Sequence, residues 1–326
     1  MKTLIYGANV LGSVYAAGLY GSGEDVTLLA RGNRLRQARD HGLVLENAMT
    51  HEWTFCHVPV VERLDPNDEY DLIIVLIHKD PQHSILPVLS ANRRVPTILF
   101  MQIDLHGYQS WIKAVGDERL LVGYAGACGQ LDGHVVHYCI APGWLQPTMI
   151  GEPDGSHSRR TKQIAAAFRA AGFPVAISSN ISAWQKSHVA WIAPLANALY
   201  VAGDRFQLSR RPDVIHLMIQ AMREGLRVLH ALEVPVCPFT LRLLEHIPES
   251  VLVKLVQRVS ITEHFRMLVE AHALSSFQEM QVLSDEFREL AVDSHVSMPA
   301  TIALADLVRG SSIAATAPGQ EIHLVA

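Results

Sequence analysis

The chain has 326 residues, of which 49% are hydrophobic and 18% charged, and its formal net charge is −5 at pH 7. This length allows two domains with sizeable cores, and the weakly acidic balance argues against a nucleic-acid partner. The four cysteines lack CxxC spacing, and no apolar run reaches membrane-spanning length. We therefore expect a cytoplasmic protein with reduced, buried thiols and no membrane partner.

The first thirty residues follow the order strand, glycine turn, helix, strand, which is the opening of a dinucleotide-binding βαβ unit. Residues 1–7 and 25–30 are short apolar runs, and residues 13–21 form a small-residue amphipathic stretch between them. The turn reads Gly-Ala-Asn-Val-Leu-Gly, so Asn9 replaces the middle glycine of the G-x-G-x-x-G pattern.

This turn is the predicted phosphate-binding element. Backbone N–H groups at a helix N-terminus, together with the helix dipole, favour a bound pyrophosphate. Asparagine tolerates positive φ, so we expect the turn to survive at Asn9 while its side chain crowds the pyrophosphate. The alternative is an ordinary crossover whose turn merely contains glycines. The predicted cofactor-binding residues of the turn are Gly7, Asn9, Val10, Leu11 and Gly12.

The residue after the second strand indicates which cofactor is bound. An NAD site usually has an acidic residue there for the ribose hydroxyls, whereas this chain has Arg31. An arginine about 20 residues beyond the glycine turn suits a 2′-phosphate. We therefore predict NADP(H) and assign Arg31 to that phosphate, with a solvated arginine at a strand end as the alternative.

Further elements along the first 178 residues complete the pattern of a parallel sheet. Residues 71–77 form a continuous apolar run, which is typical of a strand buried on both faces. Asp132-Gly133 predicts a hairpin turn. The other predicted elements are helices at 34–41 and 158–171 and strands at 43–45, 54–61, 96–101 and 174–177.

The chain becomes almost wholly helical after residue 178. The fold class is therefore α/β, with a Rossmann-type doubly wound sheet at 1–178 and an all-helical domain at 179–326. We predict that the helical domain binds substrate, and a homodimer through it is a candidate assembly. Its predicted helices are 182–201, 212–232, 238–246, 250–275 and 277–292, followed by an irregular tail at 311–326.

The ordered set of segments resembles the ketopantoate reductase (2-dehydropantoate 2-reductase) family. Similar segments are the opening turn, the apolar strand that leads to Lys79, the loop at Gln102 and the Ser-Ala-Trp-Gln-Lys stretch at 182–186. The resemblance implies an NADPH-binding Rossmann domain followed by a helical domain. It also implies that Lys79 and Gln102 contact the cofactor.

The resemblance further assigns Lys186 as the catalytic lysine and Ser276 as a substrate ligand. Hydride delivery to a ketone leaves negative charge on oxygen, which an ammonium can stabilise and protonate. Burial can lower the pKa of a lysine toward the working pH. A surface cation in the first turn of a long helix is the alternative for Lys186.

The departures from the family pattern concern groups that would bind substrate. The asparagine of the family's QNG loop is missing after Gln102, and Ala190 and Pro194 stand where asparagines usually follow the lysine. Only Asn197 is near, and we predict that it binds substrate. The family's glutamate has no clear counterpart among Glu279, Asp285, Glu286 and Glu289. A site that lacks these hydrogen bonds discriminates against their usual ligand, so we predict that ketopantoate itself is not the substrate or is handled poorly.

Other polar residues carry weaker hypotheses. The 17 histidines show no metal-binding spacing, so no metal site is expected. His188 is interpreted as a surface or core histidine. Glu224 is expected to pair with Arg223 or Arg227 on a solvated helix face.

Three functional hypotheses remain from the sequence. The first is an NADPH-dependent reductase of a 2-oxo acid or related small carbonyl compound. The second is a nucleotide-binding sensor or scaffold that has lost catalysis, which the missing asparagines keep open. The third is a dehydrogenase that acts on an opine or sugar-phosphate type of compound.

Overall fold

The structure is a computed structural model that describes residues 1–77 and 82–311 of the chain. It divides into two compact units, the first ending at Ser182 and the second beginning at Ala183. Predicted Lys79 and most of the predicted tail therefore lie outside the described residues.

The first unit contains two sheets. The larger sheet has eight strands in the order β12-β11-β8-β7-β6-β1-β2-β5, and the smaller has the order β4-β3-β10-β9. The strands are β1 Lys2–Tyr6, β2 Asp25–Leu29, β3 Leu43–Asn47, β4 Trp53–Cys56, β5 Val60–Val61, β6 Leu72–Val75, β7 Ile98–Phe100, β8 Leu120–Tyr124, β9 Ala127–Asp132, β10 Val135–Ile140, β11 Thr148–Gly151 and β12 Val175–Ile177.

The six strands from β8 to β5 in the larger sheet are all parallel to their neighbours. All four residues of β6 are buried, as the continuous apolar run predicts for a strand covered on both faces. From β1 the chain continues to β2 on one side, and it later returns to form β6 on the other side of β1. The order in which strands are added to the sheet therefore reverses between β1 and β6. This is the position at which doubly wound sheets bind ligands.

Five helices belong to the first unit. The helix α1 lies close to the sheet because the Tyr15 ring stacks on Phe173 with centroids 4.3 Å apart and its hydroxyl lies 2.6 Å from Thr148 Oγ1. Ser158 caps α5 by accepting a hydrogen bond from the amide of Thr161. The helices are α1 Val10–Gly21, α2 Gly32–His41, α3 Gln82–Ala91, α4 Gln109–Val115 and α5 Arg159–Ala170.

The predicted strand at 54–61 is wrong as a single element. Its residues form β4 in the smaller sheet and β5 at the edge of the larger one. Pro59 lies between the two and has no amide hydrogen to continue a ladder, while its carbonyl accepts from the amide of Leu28. The hairpin predicted at Asp132-Gly133 is confirmed, since β9 and β10 pair antiparallel across it.

All regular secondary structure in the described residues of the second unit is helical. Its longest helix is α6, which begins in the last residues of the first unit. The helix α8 packs against α10, α13 and α14. The helices are α6 Ile181–Ala202, α7 Arg205–Ser209, α8 Pro212–Ala231, α9 Leu243–His246, α10 Glu249–Ser260, α11 Glu263–Phe265, α12 Ala271–Ser275, α13 Phe277–Ser294 and α14 Pro299–Arg309, with a 3₁₀ turn at Phe239–Arg242 and a π-helical turn at Arg266–Glu270.

The predicted helix at 250–275 is also wrong as one piece. It ends at Ser260, and the Thr262 side chain caps the next helix by accepting from the amide of Phe265. A hydroxyl residue in this position competes with helix continuation because it satisfies a free amide. The helix α14 was not predicted at all, although Pro299 stands at its first position.

Candidate functional site

The turn from Gly7 to Gly12 connects β1 to α1 at the carboxyl end of the sheet, and only glycine fits at either end. Gly7 has φ +119°, and a Cβ atom there would lie 2.3 Å from the carbonyl oxygen of Leu76. A Cβ atom on Gly12 would lie 1.8 Å from the carbonyl oxygen of Gly7. The turn is therefore folded so tightly that α1 begins directly beside β1.

Asn9 holds this turn in a way that the sequence did not predict. Its φ is −72° and its ψ is −170°, so the expectation of a positive φ is wrong. Its Oδ1 atom instead accepts a hydrogen bond of 2.8 Å from the amide of Gly12. Asn9 is thus the N-cap of α1, which is a preferred position for asparagine.

The cap leaves two amides of the first helical turn for a ligand. Val10 and Leu11 are the first two residues of α1, where no earlier carbonyl of the helix can accept from the amides. Both residues are partly exposed. These amides, with the positive end of the helix dipole, fit the phosphate end of a dinucleotide.

Arg31 lies just past the end of β2 and caps α2 without a side-chain hydrogen bond to it. Its guanidinium donates to the hydroxyl of Tyr6 at 3.3 Å and to the carbonyl of Glu62 at 3.5 Å. In the described part of the chain, no carboxylate lies within 4 Å of it. Arg31 is therefore an exposed cation whose hydrogen-bond partners, among the residues that the structure describes, are neutral.

Arg34 was missed as a site residue. Its Nε donates to the carbonyl oxygen of Ala8 at 2.9 Å, and one terminal nitrogen donates to Ser13 Oγ at 3.0 Å. The side chain therefore reaches from α2 back to the glycine turn. The available signal was its place one helical turn after Arg31, which puts both residues at the start of α2.

Gln102 follows β7 and is buried. Its Nε2 atom donates to the carbonyl oxygen of Ile77 at 2.8 Å, which joins the segments that follow β6 and β7. Gly7, Arg31 and Gln102 thus all come directly after parallel strands of one sheet, at the edge where their carboxyl ends meet. The predicted roles of these residues in cofactor binding stay predictions.

Lys186 lies in α6 within the second unit. It is half-buried, and burial lowers the pKa of its ammonium below the ordinary value. Among the described residues its ammonium has no hydrogen-bonding or ion-pairing partner, and burial is the cause of its lowered pKa. A lysine in this state can pass a proton to a bound ligand more readily than an exposed one.

His188 lies in the core of the second unit. Its ring stacks on Trp184 at 5.0 Å and meets Trp191 edge-on at 5.4 Å. Burial lowers the pKa of His188 to about 3, and the charge of His272 contributes less. His188 is therefore neutral at physiological pH, and of the two positions expected for it, surface or core, the structure shows the core.

Asn197 is buried and its amide is engaged within the helical unit. It donates to Ser284 Oγ at 3.2 Å and accepts from Gln281 Nε2 at 2.9 Å. It also borders, with Ala190 and Pro194, a cavity of about 10 Å³, which holds no more than one water molecule. Its predicted contact with substrate stays untested, and these bonds give it a structural role already.

Ser276 is the buried N-cap position of α13, and its side chain makes no capping hydrogen bond. Its amide donates to the carbonyl oxygens of His272 and Ala273. Its role as a substrate ligand stays a prediction.

The expectation for Glu224 is wrong. Glu224 is buried, and its carboxylate accepts from the amides of Ala300 and Thr301 at 2.9 and 2.8 Å. The Thr301 hydroxyl adds a third bond of 2.7 Å. Glu224 therefore caps α14 from α8, where a carboxylate also meets the positive end of the helix dipole.

Residues 1–77 and 82–311 contain no group of three or more His, Cys, Asp or Glu side chains that could hold a metal ion. Within the same residues, every helix is too short or too polar for a membrane span.

A doubly wound sheet with a tight glycine turn at its switch point, followed by a helical unit, defines an α/β protein with a Rossmann-type first unit. Residues 3–152 match the family model described as "Ketopantoate reductase PanE/ApbA". This match confirms, over those residues, the resemblance inferred from the sequence. No curated protein sequence matches the chain.

Several solved structures share the fold at low sequence identity. D-Mandelate dehydrogenase, solved with NADH and anilino(oxo)acetate, is 16% identical, with a TM-score of 0.75 over 95% of this chain and 97% of that one. A 2-dehydropantoate 2-reductase from Geobacter metallireducens GS-15 is 18% identical, with a TM-score of 0.75 over 95% and 99%. A PanE/ApbA family ketopantoate reductase from Ralstonia eutropha JMP134 is 18% identical, with a TM-score of 0.72 over 95% and 97%.

Proposed function

We propose that the protein is an NADPH-dependent reductase of a 2-oxo acid or a related small carbonyl compound. The observation that carries this proposal is the turn from Gly7 to Gly12, which presents two first-turn amides at the switch point of the sheet. The family match over residues 3–152 supports the reaction class. The D-mandelate dehydrogenase that shares the fold was solved with NADH, which supports a nicotinamide cofactor. Such a cofactor, when bound, supplies the hydride for the carbonyl carbon.

The preference for NADPH over NADH rests on Arg31. A carboxylate at this position would repel a 2′-phosphate, whereas a guanidinium with only neutral partners attracts one. Its guanidinium donates to the backbone carbonyl of Glu62 and to the Tyr6 hydroxyl, and in the described part of the chain no carboxylate lies within 4 Å of it. In this proposal it binds the 2′-phosphate at the end of β2.

Lys186 is the proposed acid. Its ammonium would donate a proton to the carbonyl oxygen as negative charge develops there. Its half-buried position supports this role because a partly desolvated ammonium interacts more strongly with an anionic oxygen. Ser276 and Asn197 remain the proposed substrate ligands, as the family resemblance suggests.

The proposed substrate is a 2-oxo acid other than ketopantoate. Ala190 and Pro194 offer no side-chain hydrogen bonds at the positions where the family usually has asparagines. Asn197 is already bonded to Ser284 and Gln281. A ligand that depends on several such bonds would lose much of its binding energy here.

The test combines cofactor binding with turnover. We expect fluorescence titration to show tighter binding of NADPH than of NADH, and at least one member of a 2-oxo acid panel to oxidise NADPH. Lys186→Ala should keep NADPH binding and lower kcat by about two orders of magnitude. Lys162→Ala, which removes an exposed lysine of α5, is the matched control and should leave kcat unchanged.

The competing candidate is a nucleotide-binding sensor. It is favoured by the core bonds of Asn197, which leave few polar groups on α6 for a substrate. Tight NADPH binding without oxidation by any carbonyl compound in the panel would favour the sensor over the reductase.

A further inference from the structure

The Arg34 guanidinium has an unusual set of partners. It donates to the carbonyl of Ala8, to Ser13 Oγ and to Gln37 Oε1, the last at 2.8 Å. All three acceptors are neutral, and the described residues place no carboxylate within 4 Å of it. Burial lowers the pKa of Arg34, and no acidic group offsets this effect. A partly buried cation without a counter-charge binds an anion favourably.

The two acceptors Ala8 and Ser13 place this cation at the phosphate-binding element. Ala8 is the second residue of the glycine turn, and Ser13 lies in the first turns of α1. The bonds to them tie α2 to both sides of the cap residue Asn9. The Arg34 guanidinium is therefore bonded to residues on both sides of the helix N-terminus that carries the amides of Val10 and Leu11.

The hydrogen bond made by Asn9 explains why a positive charge is useful near this turn. Its Oδ1 accepts from the amide of Gly12, so it takes one of the three first-turn amides that α1 could offer to a phosphate. The middle glycine of the usual pattern lacks a side chain and would leave that amide free. The turn thus has one hydrogen-bond donor fewer for a pyrophosphate, and the positive charge of Arg34 can compensate for that loss.

We propose that Arg34 is a positioning residue that braces the glycine turn and places a positive charge near the cofactor's pyrophosphate, where Asn9 has taken up the amide donor of Gly12. The inference rests on the proposed function. It separates the two arginines by role: Arg31 acts on the 2′-phosphate, and Arg34 acts on the part that NADPH and NADH share. Loss of Arg34 should therefore weaken both cofactors by the same factor.

The experiment uses ADP-ribose and its 2′-phosphate as calorimetric probes of the full-length protein. Arg34→Gln should weaken both probes about tenfold, as expected for one charge-assisted hydrogen bond. Arg34→Lys restores the charge without the fork of donors, and should recover most of the loss. Arg36→Gln changes an exposed arginine of the same helix whose guanidinium donates to Asn33 Oδ1, so it is the matched control and should bind both probes normally.

The salt dependence of ADP-ribose binding distinguishes an electrostatic role of Arg34 from a purely structural one. The affinity of ADP-ribose should fall less steeply with ionic strength in Arg34→Gln than in the wild type, because one screened attraction is gone. An equal loss in the Gln and Lys variants with unchanged salt dependence would reduce Arg34 to a brace and overturn the proposal. A loss confined to the 2′-phosphate compound would overturn it as well.

Failure of the inference can be told from failure of the proposed function. Wild-type protein that binds ADP-ribose but oxidises NADPH with no carbonyl compound contradicts the reductase, while the Arg34 result still stands. If the wild-type protein turns over normally and Arg34→Gln binds both probes with unchanged affinity, only the inference about Arg34 is contradicted. Absence of binding to either probe would contradict both.

Discussion

Lys186 shows how burial changes the chemistry of one side chain. The pKa of its ammonium is lowered because the surrounding protein solvates the charge less well than water does. The proton needed for catalysis is present below this pKa and lost above it. We therefore expect kcat/KM to be constant at lower pH and to fall as pH rises through the lowered pKa, earlier than an ordinary lysine would allow.

A pH–rate profile of the wild type and of Lys186→Arg checks this prediction. The guanidinium of the variant stays protonated over the whole accessible range. Its rate should be lower but without the alkaline decline. A decline at the same pH in both proteins would assign the titration to another group.

Arg31 makes a second prediction at the scale of single residues. Arg31→Ala should weaken NADPH binding about tenfold or more, because one charge-assisted contact to a phosphate is lost. NADH binding should change little. Fluorescence titration measures the affinity for both cofactors, with Arg36→Ala on the same helix as the control. An equal loss of affinity for NADPH and NADH would show that Arg31 does not bind the 2′-phosphate.

At the scale of elements, the start of α14 depends on a carboxylate from another helix. Glu224→Ala would leave the amides of Ala300 and Thr301 buried without their acceptors. We expect the free energy of unfolding to fall by about 3 kcal/mol, from charge-assisted bonds and a lost cap together. Glu224→Gln keeps one acceptor and should cost less.

Urea denaturation measures both variants of Glu224. Asp293→Ala, at an exposed position of α13, is the control and should change stability by less than about 0.5 kcal/mol. Equal stability of Glu224→Ala and the wild type would contradict the capping role.

The same elements show what the sequence could and could not predict. The strand β6 could be predicted because burial on both faces restricts its residues to apolar types. The glycine turn could be predicted because the close approach of its backbone segments requires glycine. The break of the helix at Thr262 depends on a local hydroxyl bond that competes with a strong apolar period. Glu224 and Arg34 depend on partners 76 and 26 residues away, which no local pattern indicates.

At the scale of the whole molecule, α10 bears an exposed apolar stripe. Val251, Leu255 and Val259 follow each other at four-residue spacing and are 52%, 53% and 43% exposed. We propose that this stripe is where two copies of the helical domain associate. Sedimentation equilibrium should then give twice the chain mass of 36.0 kDa.

The substitution that tests this surface is Leu255→Glu, which should give the mass of one chain because a buried unpaired charge is costly in an interface. Val292→Glu, at a 71% exposed position of α13, should remain dimeric. A wild-type protein that sediments as a monomer at all concentrations would rule out the dimer.

The cap formed by Asn9 has a consequence for the energetics of ligand entry. Since its side chain already holds the Gly12 amide at 2.8 Å, the turn is ordered before any phosphate arrives. Binding then requires little loss of backbone entropy at this turn. Hydrogen–deuterium exchange at Gly12 should accordingly be slow in the free protein and nearly unchanged when a dinucleotide is added.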